Sequence, residues 1–83
     1  MKFSPVPVVS VIIPAYNAES FIQETINSVL IQSFSDFELI VIDDGSKDQT
    51  IEVLKTIQDA RLKVFSYPNG GVAVARNRGI AQA

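Results

Sequence analysis

Eighty-three residues make one small domain at most, and 47% hydrophobic content is ordinary for a globular chain. A net charge of −2, with acidic and basic residues interspersed, leaves no basic patch for nucleic acid and no polybasic arm for a membrane. With neither cysteine nor histidine, disulfides, thiolate metal sites and the commonest general base are excluded.

The lack of cysteine fits a cytosolic protein. The longest apolar run falls well short of the roughly 20 residues that a membrane helix needs. No long apolar core follows Lys2, so Met1-Lys2-Phe3-Ser4-Pro5 does not read as a signal peptide. Pro5 and Pro7 make residues 1–7 an extended lead-in.

A first strand is expected from Val8 to Ile13. Its uncharged β-branched run suits a strand buried on both faces of a parallel sheet. Pro14 lacks a backbone donor and is expected to end the ladder. Tyr16 and Asn17 then fall in the loop at the strand's C-terminal end, where open α/β sheets bind ligands. They offer an aromatic face and an amide; equally, they suit a rim aromatic and a turn residue.

A helix follows, with Ser20 and Gln23 spaced as a capping box. Ile22, Ile26, Val29 and Leu30 make one helical face, and the helix should end near Gln32-Ser33. Phe34-Ser35-Asp36 connects to a second strand, Phe37 to Asp43, whose Leu39-Ile40-Val41-Ile42 run again suits two buried faces. Asp43-Asp44-Gly45-Ser46 turns the chain. Ser46 and Gln49 form a second capping box, and Asp48 suits the helix dipole. This helix should reach Gln58, with Ile51, Val53, Leu54 and Ile57 toward the sheet.

Leu62 to Tyr67 alternates partly, as an edge strand does, with Lys63 expected to point outward as edge protection. Pro68-Asn69-Gly70-Gly71 is a turn, and Val72 to Ala83 is helical in pattern. The order β-α-β-α-β-α with short loops predicts a parallel sheet of order 3-2-1 with right-handed crossovers and the first two helices on one face.

Asp43 and Asp44 should point to opposite faces, so they do not form an acid–base pair. One is expected in the crevice and the other bracing the loop; both capping the next helix is the alternative. A carboxylate in the crevice accepts from N–H or hydroxyl groups, such as a base edge or a ribose. Asp43, Asp44 and Asp48 do not match an EF-hand loop. Arg76 in Arg76-Asn77-Arg78 could reach phosphate or base oxygens, or stand as a solvated surface group. No G-x-G-x-x-G follows the first strand and no G-x-x-x-x-G-K-[ST] occurs, which argues against dinucleotide-binding oxidoreductases and P-loop NTPases. A phospho-receiver would carry its acidic pair after the first strand, not the second.

Together, VSVIIPAYNAESFIQETINSVLIQSF, FELIVIDDGSKDQT and GGVAVARNRGIAQA resemble the N-terminal half of family 2 glycosyltransferases of the GT-A fold, from Val9 to the end of the chain. The resemblance implies an α/β, partial Rossmann-like half-domain across residues 1–83 that holds the nucleotide of an activated sugar. By motif position, Pro14, Ala15 and Tyr16 would line the nucleotide pocket, Tyr16 against the base. Glu19 would lie at the ribose end, and Asp44 would accept from the base, commonly uracil. Gly71 would let backbone approach the ligand, Arg76 would lie near the nucleotide or its phosphates, and Asn77 would support that loop.

In the family an Asp-x-Asp-type metal motif lies beyond the position of Ala83, and the catalytic base further still. The expectation is therefore a chain with no catalytic residue and no metal ligand of its own. It would be inactive alone, and part of an inverting enzyme that uses Mg²⁺ or Mn²⁺ and a UDP-sugar to build a glycan or glycoconjugate. The implied location is cytoplasmic, including the inner face of the membrane. In the family a fourth strand pairs with the first; without it, strand one would be an open edge and recruit a second copy. A non-enzymatic nucleotide-binding or interaction module of the same half-fold is the rival reading. A nucleotidyltransferase is a weaker one, since no Gly-rich basic loop follows strand one.

Overall fold

The computed structural model describes residues 9–31 and 36–83. The lead-in, the end expected for the first helix at Gln32-Ser33 and part of the next connection lie outside these. The described elements are β1 (Val9–Ala15), α1 (Ile22–Leu30), β2 (Phe37–Asp44), α2 (Thr50–Lys55), β3 (Leu62–Tyr67) and α3 (Val72–Gln82). The strands form one parallel sheet with β2 between β1 and β3, the expected order.

Every residue of β2 is buried, as its continuous apolar run requires of a central strand. Phe37, Leu39 and Val41 face a core shared with Ile22 and Ile26 of α1 and Leu54 of α2. Ile40 and Ile42 face the other side, with Ala75 of α3 and the flanking Ile12, Phe65 and Tyr67. The first two helices thus cover one face and α3 the other. Ala75 and Gly79, one turn apart, let α3 lie close on β1. A Cβ at position 79 would stand 2.3 Å from the Ile12 Cγ2 methyl, so a larger residue there pushes the helix away.

Some boundaries differ from expectation. The β1 ladder runs past Pro14 to Ala15, with Pro14 opposite Ile42. An edge strand bonds to one neighbour only, so a missing donor is tolerated there. Neither capping box forms: Phe21 and Gln49 occupy the N-cap positions, and neither makes a side-chain cap. Helix α1 instead starts from a turn in which the Ala18 carbonyl accepts from the N–H groups of Phe21 and Ile22. Helix α2 stops at Lys55, three residues short of Gln58, because Thr56 and Ile57 donate to carbonyls three residues back and tighten the last turn. Ile57 still packs on the core.

Lys63 does not simply point outward. Its ammonium donates to Glu38 Oε1 (2.9 Å) while the Ser10 hydroxyl donates to Glu38 Oε2 (2.6 Å), a polar row across all three strands. Glu38 is 7% exposed, and an acid this buried needs both partners. The Ser10 hydroxyl, then the Lys63 ammonium, hold its carboxyl below the ordinary value of 4.5.

A depressed folded-state value means that Glu38 contributes stability above pH 4.5 and loses it as pH falls through the folded value. Glu38→Gln should therefore make the acid limb of the stability curve shallower and lower stability at neutral pH, as measured by urea denaturation between about pH 3 and 7.

Candidate functional site

The C-terminal tips of the strands frame a cleft of about 260 Å³. Pro14, Ala15 and Tyr16 from the end of β1 line it, with Asp44 from the end of β2 and Val72 from the start of α3. Parallel α/β sheets bind ligands at this rim because every strand feeds a loop there. Tyr16 is 47% exposed, so its ring is accessible, whereas Asp44 is 4% exposed and held in place.

Two loops at the rim are stitched together. Asn17 adopts a left-handed conformation (φ 49°), which asparagine tolerates better than most residues. Its Oδ1 accepts from the Lys47 N–H (2.8 Å), and its own N–H donates to the Ser46 hydroxyl oxygen (2.9 Å). The buried Thr50 hydroxyl oxygen accepts from the Ala18 N–H at 2.8 Å. Asp48 accepts from the Thr50 hydroxyl and N–H and from the Glu19 N–H. Burial works to raise the Asp48 carboxyl, but those donors from Thr50 and Glu19 hold it below the usual range. Ser46 and Thr50 thus join the loops, and Asn17 is a turn residue with a structural task.

The third loop is held by Asp44. Oδ1 accepts from the Gly70 N–H (2.8 Å) and Oδ2 from the Gly71 N–H (2.9 Å), with the Asn69 amide nitrogen 3.4 Å from Oδ2. Asn69 also donates to the Asp44 carbonyl at 3.0 Å. Gly45 (φ 71°) makes the close approach feasible, since a Cβ there would lie 2.6 Å from the Asn69 backbone nitrogen. Gly71 (φ 92°) has open space around it, so its backbone conformation alone calls for glycine.

Strand alternation separates the two aspartates as expected. Asp44 both lines the cleft and braces the loop. Asp43, 2% exposed, accepts from the Ser66 hydroxyl at 3.1 Å, and its Oδ1 is buried without a hydrogen bond. Neither caps α2; Asp48 serves that helix's first residue instead.

Of the residues read from the sequence, Pro14, Ala15, Tyr16 and Asp44 come together at the cleft, and Gly71 touches it through Asp44. Glu19 is exposed and lines a separate shallow depression beside α1. Arg76 and Asn77 are exposed on α3, and their side chains make no hydrogen bond or ion pair among the described residues. The arginine that meets Asp44 is Arg78: its Nη1 lies 4.0 Å from Oδ1 and donates to the Pro68 carbonyl at 2.9 Å. Helical spacing carries that signal, because Ala75, Arg78 and Gly79 share a face. Phe21, Val72 and Ala75 also line the cleft, which the separate motifs did not indicate.

Among the described residues, no group of three or more Asp or Glu side chains is placed to hold a metal ion. The acidic residues near the rim do not fit one: Asp43 and Asp44 face apart, and Asp48 is committed to Thr50 and Glu19.

Thr50 is fully buried, so removing its oxygen leaves the Ala18 N–H unsatisfied. Thr50→Val, nearly the same shape, should cost about 1–3 kcal/mol in urea denaturation.

Residues 10–83 match the family model "Glycosyl transferase family 2". The chain is 45% identical over 80 residues to the uncharacterized glycosyltransferase EpsJ of Bacillus subtilis, covering 94% of this chain and 23% of that protein. It is 41% identical over 80 residues to a hyaluronan synthase of Pasteurella multocida, covering 94% of this chain and 8% of the synthase. Among solved structures, S. aureus TarS 1–349 superposes with a TM-score of 0.81 at 40% identity, covering 90% of this chain and 24% of that one. The mannosyltransferase PcManGT of Pyrobaculum calidifontis, solved with GDP-Man and Mn²⁺, gives 0.83 at 28% identity, covering 93% and 24%. The three-stranded parallel sheet and its helices superpose on part of the fold of these GT-A glycosyltransferases. The chain thus spans about a quarter of the length of EpsJ and of the two solved chains, and it belongs to glycosyl transferase family 2.

Proposed function

We propose that this chain is the donor-nucleotide portion of an inverting glycosyltransferase that takes a nucleoside-diphosphate sugar, with uridine as the base, and serves a glycan or glycoconjugate acceptor. One observation carries the reading: Tyr16 and Asp44 line the same cleft at the strand tips. An exposed aromatic ring stacks on a nucleobase, and a fixed carboxylate accepts from the base edge.

Hydrogen-bond capacity favours uracil. Two carboxylate oxygens offer about four acceptor positions. The Gly70 and Gly71 N–H groups take one on each oxygen, and the Asn69 amide crowds Oδ2. A single position on Oδ1 remains, which suits the one N–H of uracil better than the two adjacent donors of guanine. Glu19 would meet the ribose end, and Gly71 would give the ligand close access to backbone. Arg76, exposed and without a partner among the described residues, is available to phosphate, with Asn77 beside it.

Sugar transfer needs a cation at the departing diphosphate and a base at the acceptor hydroxyl. The acidic residues described above do not fit a metal, so Mg²⁺ or Mn²⁺ and the catalytic base would be held by other parts of a longer enzyme. In this reading these 83 residues bind the nucleotide without transferring sugar, in the cytoplasm at or near the inner face of the membrane. Among the described residues no helix is long and apolar enough to cross a membrane.

Calorimetric titration should show UDP binding more tightly than GDP. Tyr16→Ala should weaken UDP binding by about 1–3 kcal/mol, the range for one base stacked on an aromatic ring. Unchanged affinity in that variant, or no UDP binding in the parent chain, would remove the proposal.

Among the described residues β1 is an edge of the sheet, and its Val9 is 42% exposed. An open edge pairs with any strand on offer. The 83-residue chain by itself should therefore self-associate through β1, seen as a rising sedimentation coefficient with concentration. A monomer throughout would count against it.

A further inference from the structure

Arg76 and Arg78 are two residues apart on α3, so their side chains leave the helix roughly 200° apart. Only one of them can face the sheet. Buried Ala75 and Gly79 mark the sheet-facing side, and Arg78 falls on it at the i+3 spacing from Ala75. Its side chain is 30% exposed. The guanidinium lies 4.7 Å from the centre of the Tyr67 ring, in stacking range. Nη1 donates to the Pro68 carbonyl and stands 4.0 Å from Asp44 Oδ1.

Pro68 opens the loop whose next three residues hold the Asp44 carboxylate. Tyr67, the platform for the guanidinium, is the residue paired with Asp44 across the sheet. Its hydroxyl oxygen accepts from Gln82 Nε2 at 2.9 Å, which ties the platform to the far end of α3. The arginine thus bridges the strand beside Asp44, the start of the loop that grips it and the helix that follows the loop. Its positive charge also sits beside a carboxylate that is almost completely buried.

We infer that Arg78 is a positioning residue for Asp44, anchoring the Pro68–Gly71 loop so that the remaining acceptor position on Asp44 is presented to the nucleobase. This rests on the nucleotide reading of the cleft. Arg78 does not touch the base; it acts through the loop. A lysine would keep the charge but lose the planar stack on Tyr67.

Arg78→Met and Arg78→Lys, made in the 83-residue chain, test this with two readouts. Amide exchange at Gly70 and Gly71 should accelerate about tenfold or more in Arg78→Met, while the amides of Leu39 to Ile42 in β2 keep their rates. The UDP dissociation constant should rise about tenfold in the same variant. Arg78→Lys should behave more like the methionine variant than like the parent. Unchanged exchange at the two glycines, unchanged UDP affinity, or a uniform loss of protection across the sheet would each overturn the inference. If the parent chain binds no UDP, the nucleotide reading falls by itself. The glycine exchange rates then decide whether Arg78 positions Asp44.

Discussion

The Asp44 carboxylate is the point at which the rim of the sheet is held together. It sits at the end of the central strand, the only one among the described residues with neighbours on both sides, and it is buried. A buried carboxylate is costly unless its acceptor positions are filled. Two glycine N–H groups fill one position on each oxygen, the Asn69 amide approaches a third, and a guanidinium lies close by. Satisfying this one group therefore fixes the path of the loop before α3, the start of α3 and one wall of the cleft.

The rest of the architecture delivers Asp44 to that position. Central β2 has apolar residues on both faces, so it needs cover on both sides, and the short crossovers supply α1 and α2 on one face and α3 on the other. Parallel pairing sends every strand end to the same side, which is why Tyr16 and Asp44 share a cleft although 28 residues separate them in the chain. At the opposite end of the sheet, the row of Ser10, Glu38 and Lys63 ties the three strands in register and so sets where each strand tip falls.

The strands and their order were legible because β-branched runs between short loops admit few arrangements. The helices were legible from the spacing of Ile22, Ile26 and Leu54 and their neighbours, but the starts of α1 and α2 were not. Ser20 and Ser46 have the right spacing for local caps, yet tertiary bonds from Ala18, Asn17 and Glu19 satisfy the rim instead. A capping motif describes only the chain's local options, and the partners that won lie in the other loop. The contact made by Arg78 was likewise not visible from motif position. Motif position drew attention to Arg76, whereas the helical face shared with Ala75 and Gly79 puts Arg78 against Asp44. Glu38 escaped attention because a charged residue in an apolar strand is explained only once its neighbours on both flanking strands are known. The shared position of Tyr16 and Asp44 at the cleft was legible because one follows and the other ends an apolar strand, and strand ends in such sheets have a fixed geometric meaning.

The bonds that build the rim join segments far apart in the chain: Asn17 to Ser46, Ala18 to Thr50, and Asp44 to Gly70 and Gly71, with separations from 26 to 32 residues. No sub-segment can form the cleft by itself. During synthesis it comes into being only after the turn before α3 has emerged and all three strands have paired. Whatever occupies the cleft must then bind the native state alone, so occupancy shifts the folding equilibrium and protects the chain from proteolysis by mass action.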